Sequence, residues 1–138
     1  MTESTMKSAE AINELVASVF QQAKNQGKYA TEPTIAPLLL HTIGEAIEAH
    51  NAFASDNRCD KQDIDALCKM LDSNDITTFY KYFKATAKST FEDELADIVL
   101  MIFSIAGYYG INLGEHILLK HAYNRVRAEH SVANNYDK

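Results

Sequence analysis

Breakers are nearly absent from this chain. Its 138 residues include only two prolines and five glycines, so long stretches are free to run as uninterrupted helix. No segment alternates apolar and polar residues with a period of two, whereas apolar residues recur at spacings of three and four. The pattern predicts an all-α fold, a bundle of four to five helices forming a single domain over residues 1–138. Hydrophobic residues make up 46% of the chain and charged residues 23%, which is enough apolar mass for a continuous core at this length.

The periodicity sets out the helices in order. A first amphipathic helix is expected from about residue 7 to 26 through Ile12, Leu15, Val16, Val19 and Phe20, stopped by Gly27. Pro33 and Pro37 mark the start of a second, which carries Ile35, Leu38, Leu39, Leu40, Ile43 and Ile47 and runs to about residue 53. A weaker pattern follows at Ile64, Leu67, Cys68 and Leu71, then an aromatic segment, Phe79, Tyr80, Tyr82 and Phe83, whose helical state the pattern leaves open. Ser89 and Glu92 have the spacing of a capping box and open a helix to Tyr109, with Gly110 as its stop. That helix is apolar nearly all round and is expected to be buried. Its run from Ile98 to Tyr109 falls short of the ~18 residues a membrane span needs. Asn112 with Glu115 begins a last helix, expected to end near residue 129, and residues 130–138 lack a period and are expected to form a mobile tail.

Charge and cysteines narrow the function. The net charge is −6 and no Lys/Arg block occurs, which argues against a nucleic-acid surface. Cys59 and Cys68 form no CxxC pair, as expected of free thiols in a reducing cytoplasm. The N-terminal MTESTMKSAE lacks the charged-then-apolar order of a signal peptide.

Two acidic pairs carry the chemistry. Glu45/Glu48 and Glu94/Asp97 each stand at i and i+3, neighbours on one helix face. Glu45 and Glu48 share a stripe with Leu38, His41 and Ala52, while Glu94 and Asp97 continue into Ile98, Met101 and Ile105. A carboxylate on a core stripe is neutralised, paired or metal-bound. Four of them facing inward make a hard oxygen-donor site suited to Mg²⁺ or Mn²⁺. Acids placed near a helix N-terminus or solvated at a bundle end give the same spacings without any metal. A di-iron carboxylate bundle needs Glu-x-x-His, and none of the five histidines has Glu three residues before it. On the last helix Lys120, Asn124 and Arg127 stand at i, i+4 and i+7, a face able to hold phosphates, or a solvated basic face favoured by the helix dipole.

The run GEAIEA, followed by ELADIVLMIFSIAGYYGINL and KHAYNRVR, resembles the MazG-like all-α nucleotide pyrophosphohydrolases, relatives of the dimeric dUTPases and dCTP pyrophosphatases. FQQAKNQGKYATEP is similar to the family's lead-in, and the likeness extends over roughly residues 10–130. The resemblance implies that Glu45, Glu48, Glu94 and Asp97 coordinate Mg²⁺, with Mn²⁺ as a substitute, and carry catalysis. The implied reaction converts a nucleoside triphosphate, with deoxynucleotides and modified nucleotides among the candidate substrates, to the monophosphate and pyrophosphate. Lys120 and Arg127 would offset phosphate charge, with Asn124, Tyr123 and His41 completing the substrate contacts. A homodimer or homotetramer is implied, with the active site near the subunit interface. Two features depart from the family pattern. The interval between Glu48 and Glu94 is longer than in the shortest members, implying a helical insertion around residues 60–87. Thr42 stands where many relatives carry a further acid. A non-catalytic nucleotide-binding module, a phosphoribosyl-ATP pyrophosphohydrolase-like enzyme and a plain oligomeric helical protein remain as alternatives.

Overall fold

The computed structural model describes the backbone of residues 1–136 and the side chains of residues 1–128. Six α-helices and no strand occur among the described residues: α1 Glu3–Asn25, α2 Ile35–Ala54, α3 Lys61–Asp72, α4 Ile76–Thr86, α5 Phe91–Tyr108 and α6 Leu113–Tyr136. The all-α class agrees with the periodicity. The helix number exceeds the four to five expected, because both the weak pattern at Ile64–Leu71 and the aromatic segment fold as helices of their own. The chain forms two compact units, residues 1–31 with 103–138, and residues 32–102. Among the described residues no single helix is long and apolar enough to cross a membrane.

In the first unit α1 packs along α6. α1 begins at Glu3 rather than near Lys7, because the Thr2 hydroxyl oxygen caps it by accepting from the Thr5 N–H at 3.3 Å. A Cβ added to Gly114 would stand 2.2 Å from the Ala9 carbonyl oxygen, so only glycine lets these backbones approach. Asn13 completes the contact. Its side-chain oxygen accepts from the Gly114 N–H at 2.9 Å, and its side-chain nitrogen donates to the Asn112 side-chain oxygen. Phe20, Tyr29 and Tyr108 form an aromatic cluster, with Tyr29 stacked on Tyr108 at 4.8 Å and hydrogen-bonded to Ser104 at 2.7 Å. The backbone of α6 stays helical to Tyr136, where the missing period predicted a tail from residue 130. No breaker stands between Glu129 and Tyr136, and extending an existing helix is far easier than nucleating one. Residues 137–138 of the expected tail lie outside the described residues.

The second unit holds α2, α3, α4 and residues 91–102 of α5. α3 and α4 pack together, and the Tyr82 hydroxyl donates to Asp63 at 2.7 Å. The chain leaving α2 turns through Asp56, at φ 55°, with the Asn57 N–H returning to the Ala52 carbonyl. Residues 57–59 are then pinned to the start of α5. The Asn57 side chain donates to the Ser89 carbonyl at 2.7 Å. The Arg58 guanidinium and the Cys59 N–H both donate to Glu92, at 2.7 and 3.0 Å. Glu92 is thus a clamp on this connector rather than the capping-box partner of Ser89. Ser89 sits at φ 62°, outside the extended region an N-cap adopts. The cap moves one residue on, where Thr90 accepts from the Asp93 N–H and Asp93 accepts from the Ser89 N–H.

Two helices expose more apolar surface than their composition predicts. α5 buries Glu94, Met101, Ser104, Ile105 and Ala106, but Leu95, Val99, Leu100 and Ile102 are all more than 40% exposed. On α2 the more covered line is Leu38, Thr42, Glu45, Ala49 and Ala52, whereas Leu40, Ile43 and Ile47 are exposed. A chain of this size has too few helices to cover both faces of each.

Candidate metal centre

From Thr42 onward the covered line of α2 is small or polar, which leaves room beside it for side chains from the start of α5. Phe53 on α2 and Phe91 on α5 meet edge to face at 5.3 Å, fixing the two helices against each other just past the acids. Ligand oxygens of Glu45, Glu94 and Asp97 then lie within 4.8 Å of one another. Two ligands on opposite sides of one ion stand about 4.0–4.2 Å apart for Mg²⁺ and about 4.6–5.2 Å for Ca²⁺, so the trio is on the scale of a single hard cation.

Glu94 provides the decisive detail. The residue is 3% exposed, and its Oε2 is buried without a hydrogen-bond partner. Burial raises its pKa. Lys88 opposes that shift, and the charges of Glu48, Asp93 and Asp97 reinforce it. An orphaned buried carboxylate oxygen is costly, and a divalent cation held by these oxygen donors would supply the missing partner. The residues fit such an ion.

The fourth expected ligand stands apart from the trio. Glu48 is exposed, yet it lies close enough to contribute to the Glu94 pKa. Together Glu48 and Glu94 line an open depression of about 330 Å³, walled also by Asn51, Ser55, Asn57 and Ser89. His41 is exposed and sits 3.1 Å from Glu45 through Nε2, a pairing across one helical turn. The Thr42 hydroxyl donates to the Leu38 carbonyl of its own helix at 3.1 Å.

Two neighbours escaped the sequence reading. Asp93 is largely buried. Lys88 donates to it at 2.9 Å and to Asp97 at 3.4 Å. The hydrogen bond to Asp93 is the main cause of a raised Lys88 pKa. Lys88 lies in the turn before α5, five and nine residues from Asp93 and Asp97, spacings that share no helix face, so only the folded turn reveals the pairing.

The expected substrate face belongs to the other compact unit. On α6, Lys120 Nζ lies 4.8 Å from the Tyr123 ring centre, and the Arg127 guanidinium carbon 5.7 Å from the same ring. Lys120 and Asn124 line an open depression of about 380 Å³ with Leu113, His116, Ile117 and His121. Cys59 and Cys68 are free thiols, the first half-buried and the second exposed. Compared with protein-family models, curated proteins and solved structures, the chain matches none.

Proposed function

We propose that this protein is a Mg²⁺-dependent nucleoside triphosphate pyrophosphohydrolase of MazG-like type, cytoplasmic and homo-oligomeric, releasing the monophosphate and pyrophosphate. The observation that carries the proposal is the buried, partnerless Oε2 of Glu94 in a cluster with Glu45 and Asp97. Glu45, Glu94 and Asp97 hold the ion, Mg²⁺ by preference with Mn²⁺ as a substitute. A divalent cation there supplies positive charge to a triphosphate and acidifies water. Glu48, exposed beside Glu94, serves as the acceptor for the proton that water gives up. The family likeness assigns substrate contacts to Lys120, Tyr123, Asn124 and Arg127, and His41 pairs with Glu45 across one helical turn. The exposed apolar lines of α2 and α5 support a homodimer or homotetramer, since contiguous surface of this kind marks an interface.

The test is pyrophosphate release from a panel of ribo- and deoxynucleoside triphosphates with Mg²⁺, in the wild type, Glu94→Gln and Asp97→Asn. Turnover of at least one substrate, lost in both variants, is expected. A thermal shift with nucleotide but no turnover favours the non-catalytic binding module instead.

A further inference from the structure

We propose that Lys88 is an internal counter-cation of the metal centre, occupying Asp97 in the metal-free protein and giving it up when a divalent cation binds. The inference rests on the metal centre proposed above and concerns a residue outside its ligand set.

The geometry is asymmetric in the way such a role requires. Lys88 Nζ lies 2.9 Å from Asp93 Oδ2 but 3.4 Å from Asp97 Oδ2. Asp93 is anchored, since its Oδ2 also accepts the Ser89 N–H at 2.8 Å and its side chain is 9% exposed. Asp97 is the member of the trio that Lys88 shares. The ammonium can therefore leave Asp97 for the ion while keeping Asp93 as its counter-charge. The lysine side chain is about half exposed, 48%, so it has room to swing. Without it, Glu45, Glu48, Asp93, Glu94 and Asp97 gather around the start of α5, and among the described residues His41, 3.1 Å from Glu45, is the other basic side chain in ion-pair range of them. Like charges so close repel, and a single tethered cation relieves that repulsion until a metal ion replaces it. A tethered cation that neutralises the empty site must also compete with the ion that fills it.

The test is isothermal titration of the full chain with Mg²⁺ or Mn²⁺ alone, without nucleotide, in the wild type, Lys88→Met and Lys88→Arg. Removing the competing charge is expected to tighten ion binding about two- to fivefold in Lys88→Met, with Lys88→Arg close to wild type. Metal-free Lys88→Met should also melt earlier than wild type, and that loss should shrink in the Asp97→Asn background. Lys88→Gln serves in place of Lys88→Met where the latter does not fold. Equal or weaker ion binding in the lysine-free variant overturns the counter-cation while leaving the metal centre standing. No ion binding by wild type or variants overturns the metal centre and the counter-cation with it.

Discussion

The backbone N–H of Phe91 donates to the carbonyl oxygen of Asn57 at 2.9 Å. The first residue of α5, which carries Glu94 and Asp97, is thereby tied to the chain leaving α2, which carries Glu45. The Asn57 side chain on Ser89, and Arg58 and Cys59 on Glu92, add three further ties within the same few residues. Backbone and side-chain bonds at this corner set the spacing of the two acid-bearing helices.

Asn57→Ala should therefore affect two measurements at once. Loss of the side-chain bond to Ser89 is expected to lower stability by about 1 kcal/mol in urea unfolding. Divalent-ion affinity should fall in the same variant although no ligand has changed. Reduced stability with unchanged ion affinity would mean that the corner does not position the site.

The raised pKa of Glu94 gives stability a pH dependence of defined sign. Its folded pKa lies above the unfolded value of 4.5. The stability linked to its protonated form is complete below that value and is lost as pH rises through the folded pKa. Glu92 behaves oppositely. Its pKa is lowered, first by the Cys59 N–H, and the stability it adds is lost only as pH falls below 4.5. In EDTA, the melting temperature of wild type relative to Glu94→Gln should fall as pH rises from about 4.5. Added Mg²⁺ should reverse that difference by giving the ionised carboxylate its partner. A pH-independent difference between the two proteins would contradict the burial argument.

The outward line of α2 predicts the behaviour of the proposed oligomer. Ile43 and Ile47 stand one turn apart, 55% and 57% exposed. Ile43→Glu with Ile47→Glu should reduce the mass measured by sedimentation to that of one chain while helical circular dichroism persists. A wild type that sediments as a single chain would remove the oligomer from the proposal.

Gly114→Ala reverses the usual helix propensity. Alanine in a helix is ordinarily favoured over glycine by about 1 kcal/mol. Here the added Cβ meets the Ala9 carbonyl oxygen at 2.2 Å, backbone that cannot yield without shifting α1 from α6. Overpacking costs about 1–3 kcal/mol and outweighs the propensity, so thermal unfolding should occur at lower temperature. An unchanged or higher melting temperature would show that the two helices separate easily.

The sequence alone determined the helical class, the ends of α1 and α5 at Gly27 and Gly110, the start of α6, and which helices carry the acids. Gly27 and Gly110 stop α1 and α5 through positive φ, and Asn112 caps α6 as its spacing predicts. These are local effects, decided within a few residues of chain. Tertiary structure decided the rest. The helical period places Glu45 and Glu48 on one face, but how far each is covered depends on what packs against α2, and Glu45 is the more covered of the two. The apolar composition of α5 predicted burial, yet its exposed Leu95, Val99, Leu100 and Ile102 show that burial depends on neighbours, not on composition. Lys88 meets Asp93 and Asp97 only because the turn at Ser89 folds back on the first turns of α5. Periodicity states which side chains share a face, while packing states what that face meets, and the cluster of Glu45, Glu94 and Asp97 is a property of the meeting.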